Sequence, residues 1–143
     1  MDTMRKYVVL ILCCMGLLFF SCGEAQDKLI SCDAQPAISE SLFESITTPV
    51  TISGASILTN CLEIRFSFFG CADVATYDLA VSEIISGAFP PSKYMRIVIA
   101  QEGDCSITQN QTFRIDLTIL RVANTNRLNL ELEGWGEPLV YGY

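Results

Sequence analysis

The chain contains no histidine and a single tryptophan, Trp135, and beyond Cys22 it has no Cys-x-x-Cys pair. The missing imidazole excludes Ser-His-Asp and Cys-His nucleophiles and removes the side chain that most often serves as a general base near neutral pH. With the cysteine spacing, it also removes the ligand patterns of structural zinc, so neither a metal nor a cofactor is expected. Glycine-rich loops that cradle phosphate are lacking as well. Charge is sparse, at 17% of residues. With Asp2, Arg5 and Lys6 set aside as part of a leader, seven basic residues face fifteen acidic ones, a balance that repels nucleic acid.

No apolar run reaches the roughly 20 residues that a membrane-spanning helix needs. What is present instead is Arg5 and Lys6, fourteen apolar residues from Tyr7 to Phe20, then Ser21 and Cys22. A charged start, a short apolar stretch and a small residue at the cut are the parts of a secretory leader. Leu18-Phe19-Phe20-Ser21-Cys22 resembles a lipobox of the looser kind found in Bacteroidota, which implies cleavage after Ser21 and a diacylglycerol on Cys22. Plain secretion after a cut near Ala25 and an uncleaved anchor are the alternatives. Glu24 and Asp27, just behind the lipid site, resemble the acidic surface-export signal of such lipoproteins.

Three units are therefore expected: a leader over 1–21, a lipid-anchored tether over 22–48, and one folded domain over 49–143. Within the tether, Ile38 to Ile46 has room for a short helical turn around Leu42 and Phe43, and Cys32 ties the segment down. From Pro49 on, the pattern is of short strands. Leu62, Ile64, Phe66 and Phe68 alternate with Glu63, Arg65 and Ser67, the period of a half-buried strand. Similar alternation marks strands around Val50 and Ile52, Tyr77 to Val81, Met95 to Ile99, Phe113 to Leu117, Leu128 to Leu132, and Leu139 to Tyr143. Turns fall at Thr59-Asn60, at Gly87 with Pro90-Pro91, and at Glu102-Gly103-Asp104, with a bulge at Gly54. About seven short strands predict an all-β, antiparallel, immunoglobulin-like sandwich; a partly open barrel is the alternative.

After the leader and the lipid site, Cys32, Cys61, Cys71 and Cys105 remain, an even set that implies two disulfides in an oxidising compartment. Cys61 and Cys71 sit at opposite ends of one strand, about 33 Å apart if extended, and a disulfide needs Cα atoms within about 7 Å. If consecutive strands alternate direction, Cys71 and Cys105 lie at the same pole and Cys32 is left for Cys61. Cys61 with Cys105 and Cys32 with Cys71 is the other pairing open.

Phe69-Gly70-Cys71, Pro90-Pro91, Gly103-Asp104-Cys105, the strand from Phe113 to Leu117 and Gly134-Trp135 together resemble a group of small extracytoplasmic lipoproteins of Bacteroidota. The resemblance covers about 49–143 and implies a disulfide-stapled sandwich in the cell envelope, at the outer membrane. That group usually carries a histidine shortly after the first motif cysteine. Ala72 to Thr76 has none, so no role of that residue carries over.

Several residues stand out as candidates for function. Trp135, between Gly134 and Gly136, is placed either to stack on a sugar or to plug one end of the sandwich. Phe69 points outward by parity and, with Tyr94, is a candidate apolar patch, or else lies under the Pro90-Pro91 loop. Glu131 and Glu133 share one strand face at a spacing near that of a retaining glycosidase pair, but they alternate with core leucines as a solvated face does. Glu102 and Asp104 lack the spacing of a calcium loop. The expectation is a non-catalytic binding or structural accessory module, held to the membrane by lipid, with a glycan or an envelope protein as partner. Glycan hydrolysis and an inhibitor-like domain are the alternatives.

Overall fold

Strand β3, Cys61–Phe69, sits at the centre of a three-stranded sheet, antiparallel to β2 (Val50–Leu58) on one side and β6 (Thr108–Asp116) on the other. The computed structural model describes residues 31–71, 75–101 and 105–143. Leu62, Ile64, Phe66 and Phe68 are all buried, as the period of two requires. A bulge between Ile52 and Gly54 interrupts the β2 register, and the Arg65 side chain crosses over Gly54, where a Cβ would meet it at 2.7 Å.

The second sheet has five strands in the order β1-β4-β5-β7-β8, where β1 is Ala37–Ile38, β4 Thr76–Ile85, β5 Ser92–Ala100, β7 Arg127–Leu132 and β8 Leu139–Gly142. Leu79, Val81, Met95, Ile97, Leu128, Leu130 and Tyr141 point inward from it and meet the phenylalanines of β3. Tyr77 packs edge-on to Phe66 and Phe113, with ring centroids 5.8 and 5.3 Å away, so an aromatic cluster joins the two layers. The described residues are thus all-β, apart from a single helical turn α1 (Glu40–Phe43) and a 3-10 turn at Thr118–Leu120.

The expected purely antiparallel arrangement is corrected: β5 pairs with β7, and β1 with β4, in parallel, so the five-stranded sheet is mixed. The cause is the excursion of β6. From β2 to β8, successive strands do reverse direction, but β6 joins the other sheet, which leaves β5 and β7 as neighbours running the same way. Because direction alternates, the disulfides are Cys71–Cys105 and Cys32–Cys61, with Cα atoms 5.0 and 5.6 Å apart.

The described part of the expected tether is integrated into the domain, and the structural unit begins well before residue 49. Asp33 N–H donates to Arg114 C=O at 2.8 Å and Asp116 N–H to Ala34 C=O at 2.9 Å, so this stretch first runs beside β6. It then crosses to the other sheet as β1, and α1 lies over the outer face of β4 and β5. Ser39 caps α1, its Oγ accepting from Leu42 N–H at 3.3 Å, and Glu40 Oε2 accepts from Ser82 Oγ and Glu83 N–H at 2.7 and 2.8 Å. Apolar alternation could not reveal this, because two residues of β1 and four of α1 are too short to show a period. The leader and Cys22 lie outside the described residues.

The two ends of the two-sheet core differ. At one, here the Asn60 pole, Asn60 Oδ1 accepts from the Tyr141 hydroxyl and from Arg121 Nη2, both at 3.0 Å. Tyr143 Oη accepts from Val122 N–H at 2.9 Å beside them. At the other, the Cys71 pole, the Cys71–Cys105 bridge staples the sheets.

Candidate functional site

The outer face of the five-stranded sheet carries a groove of about 400 Å³. Its floor follows from the parallel β5–β7 register, which sets Tyr94 opposite Glu131. Two residues further on, Arg96 follows on the same face of β5, and Glu133 comes just past the end of β7, its N–H donating to Met95 C=O at 2.8 Å. Past Leu132 the chain turns, with Gly134 at a φ of 81° and Trp135 N–H donating to Leu132 C=O at 3.0 Å. That turn lays Trp135 and Glu137 along one wall, and Phe43 of α1 forms another.

Arg96 ties the floor to the helical wall. Its Nη1 donates to Phe43 C=O at 2.9 Å, while its Nε is buried, makes no hydrogen bond and has Glu133 Oε2 at 3.4 Å. A smaller hollow of about 230 Å³, lined by Thr47, Thr48 and Pro49, adjoins the groove and shares Glu133 and Gly134 with it. Thr47 Oγ1 anchors that side by accepting from Ile99 N–H at 2.6 Å.

Trp135 meets both sequence-based expectations halfway. It packs against the core and is half-buried, as a plug would be, and it also lines the groove. Tyr94 joins it there, whereas Phe69 does not, which corrects the expected Phe69–Tyr94 patch. Phe69 ends β3 of the other sheet near the Cys71 pole, far from the Pro90-Pro91 loop at the opposite pole. Glu131 and Glu133 do line one groove, with Glu137 beside them. Glu102 and Asp104 lie outside the described residues, and no metal-holding group of three or more acidic or cysteine side chains occurs among those described.

One residue with chemistry escaped notice in the sequence. Lys93 lies on the core-facing side of β5 and is 5% exposed, and burial pulls its ammonium below the ordinary lysine range. The signal was available, since Lys93, Met95, Ile97 and Ile99 share one parity. Asp116 is shifted the other way from burial, its carboxyl held below the ordinary range by hydrogen bonds from the Thr118 hydroxyl and N–H at 2.6 and 2.9 Å.

No known family's sequence profile matches the chain, and no curated protein sequence is significantly similar to it. Among solved structures it is similar to a protein of unknown function, DUF1344, from Bacteroides vulgatus ATCC 8482, at a TM-score of 0.53 and 13% identity. The match covers 78% of this chain and 57% of that one, so the chain spans little more than half of that protein's length. At such identity the likeness concerns the fold alone. The neighbour's source belongs to the bacterial group whose small lipoproteins the sequence motifs resemble.

Proposed function

We propose that this protein is a lipid-anchored, non-catalytic binding module of the bacterial cell envelope, seated at the outer membrane, whose ligand occupies the groove between Tyr94 and Trp135. The observation that carries the reading is convergence: Phe43, Tyr94 and the segment from Glu131 to Glu137, which supplies Trp135 and three carboxylates, come from three separate parts of the chain to line one open groove of about 400 Å³. Aromatic faces stack on the apolar faces of sugar rings, and carboxylates accept from their hydroxyls, so a neutral glycan segment is the ligand class that fits. Anionic glycans would meet Glu131, Glu133 and Glu137. The two disulfides and the lipobox-like leader support an extracytoplasmic address.

The sole tryptophan stands in the groove, so its fluorescence reports occupancy directly. Titration with neutral oligosaccharides should shift Trp135 emission saturably, Tyr94→Ala should weaken the response about tenfold, a loss of about 1.4 kcal/mol, and Glu131→Gln should weaken it less. Absence of any response across neutral and anionic glycans, or hydrolysis abolished by Glu131→Gln with Glu133→Gln in a folded protein, would overturn the reading. The anchor has its own check: Cys22→Ser should leave an unprocessed precursor that takes up no labelled palmitate.

A further inference from the structure

The end of β4 and the loop that leads on to β5 are apolar where exposed chain is ordinarily polar. From Ile84 to Ser92 no residue is charged, and Ile84, Ile85 and Phe89 are 64%, 43% and 88% exposed. The loop is nonetheless well braced. Ser86 N–H donates to Ser92 C=O at 3.1 Å, Ser92 N–H returns to Ser86 Oγ at 2.8 Å, and Pro91 C=O accepts from Asn129 N–H at 2.9 Å. Exposed isoleucine and phenylalanine on a held loop form a surface that favours leaving water.

The position of this loop relative to the N-terminus suggests what covers it. Ser92 pairs with Asn129 near the start of β7, and Tyr141, which pairs with the neighbouring Leu128, reaches Asn60 through its hydroxyl at 3.0 Å. The loop therefore projects from the Asn60 pole. Cys32 is bonded to Cys61, the residue after Asn60, so the chain enters the folded domain at that same pole. The ten residues from Cys22 to Cys32 span at most about 35 Å when extended. A lipid on Cys22 would thus hold the Asn60 pole towards the bilayer.

We infer that the end of β4 and the β4–β5 loop form a second membrane contact, with Phe89, Ile84 and Ile85 entering the boundary between headgroups and acyl chains of the bilayer to which Cys22 is anchored. The inference rests on the lipid-anchored reading. The contact is hydrophobic, so zwitterionic lipid suffices for it. It would orient the domain with the Cys71 pole pointing away from the membrane.

The test uses the full, lipidated chain with Phe89→Trp, reconstituted into phosphatidylcholine vesicles brominated at shallow or deep acyl positions. Phe89 is almost fully exposed, so the substitution leaves the fold intact. The emission added over wild type should be blue-shifted and lose roughly half or more of its intensity to shallow bromines, with less loss to deep ones, as insertion to about 5–10 Å requires. Trp135 emission in wild type should be the same in plain and brominated vesicles. If the protein floats with the vesicles but the added emission stays red and unquenched, the loop does not enter lipid and the inference falls; a protein partner then becomes the occupant to seek. If the wild-type protein fails to float at all, the anchor reading itself fails and takes this inference with it.

Discussion

The outer faces of the two sheets read alike in sequence and behave differently in space. On the three-stranded sheet, Glu63 stands opposite Arg114 across the β3–β6 pair, and Arg114 Nε donates to Glu63 Oε2 at 2.9 Å. The charges are matched, and neither residue lines the groove or the hollow beside it. On the five-stranded sheet, Glu131 stands opposite Tyr94, while Arg96 contacts both Glu133 and the α1 backbone. Here three carboxylates share a groove with aromatic side chains and no basic one, and Arg96 lies in the adjoining hollow. The alternation is identical on both. What separates a solvated face from a site is which strand lies alongside and what crosses over the top.

The most severe way to erase that difference is to remove what both sheets share. Phe66 is buried between them and touches Tyr77 of the other layer edge-on. Phe66→Ala should cost about 3–5 kcal/mol in chemical denaturation, a large part of a domain's 5–15, and should abolish Trp135-reported ligand binding along with the fold. Next comes the staple at the Cys71 pole. Replacing Cys71 and Cys105 together with Ser opens a loop of sequence separation 34 and should cost about 3–4 kcal/mol on the chain-entropy account. The midpoint should fall under oxidising conditions yet stay above that of reduced wild type, in which Cys32–Cys61 is open as well.

These two effects touch what the sequence already made legible. The β3 alternation, the turn at Thr59-Asn60 and the reversal of successive strands lead directly to the core and to the Cys71–Cys105 pairing. Partnership between strands was not legible, because the period of two states which way a side chain points and nothing about the neighbour it points beside. Tyr94 and Glu131 became adjacent only when β6 left for the other sheet. The groove's other wall came from α1, in a stretch that reads as tether because its elements are too short for periodicity and its residues are polar. Lys93 is a different lesson: its parity with Met95 was visible, but a lysine draws the eye to solvent, and its long aliphatic stem is what lets it sit on a core face.

That lysine sharpens the comparison from the inside of the five-stranded sheet. Its folded pKa is lowered by burial, so between that value and the ordinary lysine value the unfolded chain binds more protons than the folded one. Stability should therefore rise with pH across that window, and below it the cost of the buried ammonium should be constant. Lys93→Met should raise the thermal midpoint at neutral pH and flatten the alkaline rise relative to wild type, as a difference between two melting profiles. An unchanged difference across pH 7 to 11 would mean that the ammonium is fully hydrated in the folded protein.

The smallest effect is expected on the polar face, at the Glu63–Arg114 pair. Both side chains keep contact with water, and an ion pair at such a site contributes about 0.2–1 kcal/mol, less as salt rises. Glu63→Gln keeps the volume and one acceptor oxygen, so Arg114 can still donate to it, and the loss should be about 0.5 kcal/mol or less at low ionic strength and vanish in molar salt. Trp135 titrations should be unaffected, since Glu63 belongs to the other sheet. Glu131→Gln is the matched change on the opposite face, and its expected outcome is reversed: little change in the denaturation midpoint, because Glu131 contacts no basic partner among the described ion pairs, and a measurable loss of affinity in the groove. Equal effects of the two substitutions on both measurements would mean that the faces do not differ in kind, and that the groove is only a solvated strand face with a tryptophan at its end.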